Sequence, residues 1–218
     1  MRDRVSHRLT ASLLMYFLRA FARLRPPRNY RVLCAKIVSA VLLAPAAFAQ
    51  EATTDPFTDT RDGGKLHAAS GFVCPAKIGA FERDAVGVAD IATGADLCSY
   101  SALNGVYGSI TLVPLHGPYN AQASLAPSFS EQEGVGAKRV ADGMATLSAK
   151  PEPVVIYART YETDRLEDQS YRLVFTGAQF GNWAVETTIE YADPRDTAIE
   201  DEFLHAAYTA ARSEIAAK

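Results

Sequence analysis

Residues 183–191 read Trp-Ala-Val-Glu-Thr-Thr-Ile-Glu-Tyr. The odd-numbered positions, from Trp183 to Tyr191, are aromatic or β-branched, whereas the even-numbered positions hold alanine, threonine and two glutamates. A strict period of two is typical of a β-strand that buries one face and exposes the other. This stretch therefore predicts one strand of an antiparallel sheet, and its neighbours in the chain predict the rest of the fold.

Two further strands precede this stretch. Residues Tyr171–Thr176 alternate in the same way, and the Gly-Asn pair at 181–182 suits a type II′ hairpin, because glycine takes the first turn position. Val154–Tyr161 is a third apolar run, and the charged segment 162–169 connects it to the second. The three strands are predicted to form an antiparallel meander.

A C-terminal amphipathic helix is predicted after the meander. Thr197-Ala-Ile-Glu200 has the capping-box pattern, in which a threonine hydroxyl and a glutamate carboxylate satisfy free backbone N–H groups at the start of a helix. Apolar residues then recur every three or four positions, as one buried face of a helix requires. They are Ile199, Phe203, Leu204, Ala207, Tyr208, Ala211 and Ile215. We expect this stripe to pack on the apolar face of the meander.

The first half of the chain has the same order of elements. An Asn-Gly pair at 104–105, a strong type I′ hairpin signal, separates Leu97–Leu103 from Val106–Val113, and Val86–Ala92 precedes both runs. Residues 130–150 are predicted to form a second helix, with a weaker apolar stripe that three glycines interrupt. The order is then meander, helix, meander, helix, although the halves share no repeat at the residue level.

Together these elements predict an α+β domain. Its core is a largely antiparallel sheet of about six strands, arranged as two β-meanders and covered by helices. In outline, the element order over residues 154–215 resembles PsbP/Mog1-type domains. The likeness rests on element order without a diagnostic motif, and it implies no activity.

The beginning of the chain differs in charge from the rest. Residues 1–36 contain nine of the 22 basic residues and only one of the 25 acidic residues. The part after residue 49 therefore has 13 basic and 24 acidic residues, which is a net charge of about −11. A basic region that ends at Lys36, the apolar run 37–49 and the small-x-small site Ala47-Phe48-Ala49 predict a signal peptide over residues 1–49, starting at Met1 or Met15. An uncleaved anchor or a buried helix is the alternative.

Export to the periplasm or out of the cell would also set the redox state of the cysteines. Cys34 lies in the signal segment, so Cys74 and Cys98 remain as a pair that is predicted to form a disulfide, the alternative being two buried thiols. Residues 50–65 are predicted to be a flexible polar tail, because they contain few branched apolar residues. Residues 66–218 are then a single α+β domain.

No catalytic, metal-binding or nucleotide-binding motif stands out after residue 49. The three histidines, His67, His116 and His205, are more than 40 residues apart, so no histidine pair has metal-ligand spacing. We therefore expect neither a metal nor a cofactor, and we assign no catalytic residue. The acidic charge disfavours nucleic acid as a partner. The same charge disfavours anionic membrane surfaces, and no stable membrane insertion is expected once cleavage has removed the apolar run 37–49, which is itself too short for a bilayer core.

One loop has residues that suit a binding site. His116-Gly-Pro-Tyr119-Asn120 follows a predicted strand, and its His, Tyr and Asn side chains are candidate binding residues, although a plain surface loop explains them equally well. His205 is a second candidate because Asp201 and Glu202 precede it by one helical turn. That face of the helix is expected to be solvated.

The sequence leaves the function open between two classes. The first is a non-catalytic binding or accessory module of the cell envelope that binds an unknown protein or small-molecule ligand; the absence of convergent reactive groups favours it. The second is a hydrolase-like enzyme whose site is assembled from distant residues. A pocket that holds His116 or His205 near a carboxylate and a hydroxyl would favour the enzyme. Self-association through a sheet edge is a third possibility.

Overall fold

The alternating stretch that ends at Tyr191 forms an internal strand of a large antiparallel sheet. The computed structural model describes residues 55–148, 152–166, 169–192 and 194–215, which belong to one unit. The predicted signal peptide, residues 1–49, lies outside this part of the chain. The strands are β1 (Phe57–Asp59), β2 (Lys65–His67), β3 (Val73–Cys74), β4 (Lys77–Ile78), β5 (Phe81–Asp90), β6 (Ala95–Ala102), β7 (Val106–Pro114), β8 (Lys138–Leu147), β9 (Val154–Leu166), β10 (Gln169–Phe180) and β11 (Trp183–Ala192). The helices are α1 (Ala121–Ser124), α2 (Ala126–Gly134) and α3 (Thr197–Glu214).

Eight strands form the main sheet, and β1–β3 form a small separate sheet. The order of the main sheet is β4-β5-β6-β7-β11-β10-β9-β8, with antiparallel pairing throughout. Both predicted meanders are present, and they meet where β7 pairs with β11. The largely antiparallel sheet is confirmed, but the predicted size of about six strands is wrong. The sheet also contains the two-residue strand β4 at one edge and β8 at the other.

Backbone angles agree with both predicted hairpin turns, but the first loop is one residue longer than predicted, because Ala102 pairs with Val106 and Leu103–Gly105 form a 3-10 turn. Asn104 and Gly105 have φ values of 64° and 74°, and a type I′ turn requires both to be positive. At the β10–β11 turn Gly181 has a φ of 54° and Asn182 stays outside the left-handed region, as a type II′ turn requires. These two turns align β6 with β7 and β10 with β11.

The second predicted helix, residues 130–150, is wrong over most of its length. Helix α2 ends at Gly134, and Gly136 takes a φ of +83°, which a right-handed helix does not accommodate. From Lys138 the chain is extended and pairs with β9 along its whole length. Glycine has a low helix propensity, whereas β9 offers backbone partners that a segment read in isolation lacks. Strand pairing therefore prevails.

Helix α3 lies on one face of the main sheet, here called the α3 face, toward which Val185, Thr187 and Ile189 of β11 point. The predicted apolar stripe is buried, which confirms the C-terminal amphipathic helix. The centre of the Phe203 ring lies 4.7 Å from the centre of the Phe81 ring and 5.6 Å from the centre of the Tyr100 ring. The buried members of the stripe are Phe203, Leu204, Ala207, Tyr208, Ala211 and Ile215.

The start of α3 differs from the predicted capping box. Asp196, not Thr197, is the N-cap, and its Oδ1 accepts hydrogen bonds from the backbone N–H groups of the second and third helical residues. Glu200 is buried and instead accepts a hydrogen bond from the Tyr191 hydroxyl at 2.5 Å. Its carboxylate thus ties the helix to β11.

Helices α1 and α2 lie on the opposite face, here called the α2 face. Phe129 of α2 packs among Tyr157, Tyr161 and Phe175 of β9 and β10. If the two halves of the sheet were related by symmetry, the two-fold axis would pass between β7 and β11, perpendicular to the sheet. Such an axis would place α2 and α3, which follow these strands, on the same face. Because they lie on opposite faces, the repeated order of elements does not make two symmetric halves.

The even-numbered face of β11 is less exposed than its alternation predicts. Ala184 and Glu186 are buried, whereas Thr188 is only partly buried. Tyr119 and Ser124, from the segment after β7, form hydrogen bonds to the Glu186 carboxylate and cover this end of the strand.

The small sheet is fastened to the α3 face. Cys74 of β3 and Cys98 of β6 form the predicted disulfide, with their Cα atoms 6.3 Å apart. Arg83 of β5 donates hydrogen bonds to the carbonyl oxygens of Cys74 and Gly63. Strand β1 begins at Phe57, which is 4% exposed. The fold thus includes part of the segment 50–65 that the sequence predicts to be a flexible tail.

Candidate functional site

A cleft of about 430 Å³ opens on the α2 face beside the edge strand β8. One wall is the segment from Tyr119 to Gln122, which leads from β7 into α1. The other wall is formed by residues of β8 and β9, and residues 177–179 of β10 complete the lining. This volume falls within the range of known ligand pockets.

Tyr119 lies directly over Gly177. A Cβ atom at position 177 would be 2.1 Å from the Tyr119 hydroxyl oxygen, so only glycine leaves room for the ring. The hydroxyl donates to Glu186 Oε1 at 2.9 Å. Burial raises the pKa of the Glu186 carboxyl, and the hydrogen bonds from Ser124 and Tyr119 only partly offset this effect. A buried carboxylate therefore holds this wall of the cleft in place.

Two amide side chains position the rest of this wall. Gln179 Oε1 accepts from the backbone N–H of Tyr119 at 3.1 Å, and Gln179 Nε2 donates to the Gly181 carbonyl at 2.9 Å. Asn120 is the N-cap of α1, where its Oδ1 accepts from the Ala123 N–H at 3.1 Å. The Asn120 oxygen is thus used by the helix, which leaves its amide nitrogen for a ligand.

The β8–β9 wall has exposed apolar side chains. Met144 of β8 is 69% exposed and Val155 of β9 is 58% exposed. Next to them Tyr157 is 4% exposed and donates its hydroxyl hydrogen to Asp142 Oδ1 at 2.6 Å. The lining of the cleft therefore combines amide, phenol and apolar groups.

Within this wall Arg159 of β9 forms an ion pair with Asp142 of β8 and also contacts an aromatic ring of α2. Arg159 donates to Asp142 Oδ2 at 3.0 Å, and its guanidinium lies 3.9 Å from the centre of the Phe129 ring. The hydrogen bond from Tyr157, followed by the contacts with Arg159 and Arg139, holds the pKa of Asp142 below its usual value. Edge strand β8 is thereby tied to β9 and, through Phe129, to α2.

The residues that the sequence marks as candidates divide between the cleft and other surfaces. Tyr119 and Asn120 line the cleft, whereas His116 is exposed and is not part of the lining. His205 is half-buried on α3, on the other side of the sheet. The β8 part of the opposite wall cannot be predicted from the sequence, because the pattern of residues 130–150 predicts a helix where the structure has β8. The missed lining residues include Gln122, Met144, Val155, Tyr157 and Gln179.

The third histidine, His67, lies between a hydroxyl and a carboxylate. Its Nδ1 is 2.7 Å from Ser70 Oγ, and its Nε2 is 2.8 Å from Asp96 Oδ2. The backbone N–H of Ser70 also donates to Nδ1, so the proton lies on Nε2 and is donated to Asp96. A serine, a histidine and an aspartate in this order have the residue types of a hydrolytic triad.

This cluster is closed to a substrate. His67 is 0% exposed and Ser70 is 2% exposed, and Ser70 Oγ accepts a hydrogen bond from the backbone N–H of Phe72. The imidazole also packs against the rings of Phe57 and Trp183, each at a centroid distance of 5.1 Å. We conclude that the cluster fastens the small sheet to β6 and β11, since a nucleophile must be able to reach its substrate.

Comparison with models of known protein families finds no match, and comparison with curated protein sequences finds none either. Within the described ranges, no three His, Cys, Asp or Glu side chains are grouped so that they could hold a metal ion. No helix in that part of the chain is both long and apolar enough to cross a membrane.

The fit of Tyr119 over Gly177 predicts the result of adding one methyl group. Gly177→Ala should push the ring from its seat, break the bond to Glu186 and cost about 1–3 kcal/mol of stability, as overpacking does. The matched control is Gly87→Ala in β5, where no atom lies within 4 Å of the new Cβ. Urea denaturation measures both variants, and equal stabilities would contradict the described seat of Tyr119.

The raised pKa of Glu186 predicts a pH-dependent effect of Glu186→Gln. A carboxyl whose pKa is higher in the folded state stabilises the fold at low pH, and this contribution is lost as the pH rises through the folded-state pKa. The glutamine variant should therefore gain stability relative to the parent at pH 7, and the gain should shrink toward pH 4. Denaturation at both pH values tests this, with Glu190→Gln on the same strand as control. A gain that is the same at both pH values would contradict it.

Proposed function

We propose that this protein is an exported, non-catalytic binding module, and that the cleft between Tyr119–Gln122 and the β8–β9 wall is its ligand-binding site. The observation that carries the proposal is the chemistry of the lining. The described lining has no histidine, cysteine, serine, carboxylate or lysine, and the hydroxyls of its two tyrosines, Tyr119 and Tyr157, already donate to Glu186 and Asp142. None of its groups is therefore placed as an activated nucleophile or general base. Its amide, phenol and apolar groups suit the recognition of an uncharged ligand.

Export is part of the proposal. The signal-like segment that ends at Ala49 and the Cys74–Cys98 disulfide support a working place in the periplasm or outside the cell. The intact mass of the exported protein should equal that of a chain that begins at Gln50. A stable membrane-bound species that retains residues 37–49 would contradict this part.

The hydrolase-like alternative now rests on His67, Ser70 and Asp96 rather than on His116 or His205. Burial of the serine argues against it. Because His67 is structural, the test of this cluster replaces its candidate nucleophile instead, by Ser70→Ala. Loss of a hydrolytic activity from that folded variant would support the enzyme.

The binding role is tested by screening neutral small molecules and short peptides with heteronuclear NMR. Ligands should shift the side-chain amide signals of Asn120, Gln122 and Gln179. Val155→Arg should abolish these shifts by placing a long charged side chain at the cleft. Val88→Arg, at another exposed valine, on β5, should not. A ligand that binds both variants equally would show that the cleft is not the site.

A further inference from the structure

We infer that the ligand of this module is an extended peptide that pairs as an added strand with the free edge of β8, with one side chain in the adjoining cleft. This inference rests on the proposed binding function and names the class of partner. It follows from the backbone of β8, from its charges and from the shape of the cleft.

Strand β8 is a long and exposed sheet edge. It has ten residues, all of them exposed except Leu147, and among the described residues it pairs with β9 alone. An edge strand presents a row of unpaired N–H and C=O groups to which an extended chain can bind. The other edge of the sheet, β4, has only two residues and offers no comparable surface.

The devices that usually protect a sheet edge lie at one end of β8. The register with β9 shifts between Arg139 and Ala141, and both basic residues of the strand, Lys138 and Arg139, precede this shift. Residues 141–147 pair regularly with β9 and contain one charge, Asp142, which is bound to Arg159. This regular part of β8 is held in an extended conformation, ready to pair.

The cleft is continuous with this part of the edge. Gly143 and Met144 of β8 belong to its lining, and Val155 of β9 stands beside them. Side chains of an added strand would point alternately to the two faces of the sheet. Those on the α2 face would lie next to Met144 and enter the cleft, where an apolar or uncharged side chain fits the lining.

Charge favours a peptide over a second copy of the chain. Residues 138–147 have two basic side chains and one acidic, a net charge of +1, within a chain whose part after residue 49 has about −11. Lys138 can therefore attract an acidic side chain of the peptide. Two copies of the domain would repel each other, because each has a net negative charge.

The test begins with random decapeptides displayed on phage and selected against the exported protein. A selected peptide, made synthetically, should protect the amides of alternate residues in 141–147 from hydrogen exchange. Lys138→Glu should weaken its binding about tenfold. Lys77→Glu, the matched change on the opposite edge strand, should alter binding less than about twofold.

Each other outcome overturns the inference in a recognisable way. Peptides that shift the cleft signals without protecting β8 would bind by another geometry, and the binding module would stand without strand addition. If neutral small molecules bind the cleft and no peptide is selected, the binding module again stands and strand addition is wrong. Protection of β8 that depends on protein concentration, without peptide, would identify a second copy as the occupant. If nothing binds the cleft or the edge, the proposed function fails as well.

Discussion

Phe203→Asp is expected to unfold the domain. The Phe203 ring is 0% exposed and packs against Phe81, Tyr100 and the backbone of Gly108, where the hairpin strands meet α3. Removing a buried phenylalanine costs roughly 3–5 kcal/mol, and burying an unpaired carboxylate adds several more. The sum is comparable to the whole stability of an ordinary domain, about 5–15 kcal/mol.

Circular dichroism and thermal denaturation measure this effect. The matched control is Thr209→Asp, which adds the same charge to an exposed position of the same helix and should leave the fold intact. If Phe203→Asp melts cooperatively at the parent temperature, α3 does not dock on the sheet in solution.

His67→Ala is expected to have the second-largest effect. The imidazole holds the Asp96 carboxylate at 2.8 Å, caps the turn at Ser70 and fills the space between Phe57 and Trp183. Its removal leaves a buried carboxylate without this partner and opens a cavity. We expect a loss of about 2–4 kcal/mol.

The loss should begin in the small sheet. The disulfide keeps β3 tethered to β6, so β1 and β2 can separate from the main sheet while the rest stays folded. Hydrogen exchange should therefore accelerate first at Phe57–Asp59 and Lys65–His67. His116→Ala, at an exposed histidine, should change stability by less than about 0.5 kcal/mol. Equal effects of the two variants would show that His67 has no structural role.

Much of the fold can be predicted from the sequence because its signals are local. The period of two in Trp183–Tyr191, the Asn-Gly pair at 104–105, the glycine at 181 and the apolar stripe of the C-terminal helix each describe one element and its neighbour. A hairpin turn determines which two strands pair, and a stripe determines which side of a helix is buried. These predictions required no knowledge of distant residues. The structure confirms the strand, the two hairpins and the buried helix stripe, whereas the exposed face predicted for Trp183–Tyr191 is wrong at Ala184 and Glu186, which are buried.

The site depends on contacts between residues that are distant in the chain. Tyr119 and Asn120 could be marked as loop residues, but only the fold places Tyr119 over Gly177 and against Glu186. Residues 138–147 illustrate the same limit. Their own propensities favour neither helix nor strand strongly, and pairing with β9 decides the outcome.

By itself, the sequence determined the antiparallel meanders, the closing helix, the cysteine pair and the acidic charge, because each depends on composition or on residues close in the chain. Only the tertiary structure decided that β8 is a sheet edge, that the two helices lie on opposite faces and that the buried histidine is His67. Those outcomes depend on which surfaces come into contact when the chain folds. The cleft exists because β7, β10 and β8 bring Tyr119, Gly177 and Met144 to one surface, and no local pattern encodes that meeting.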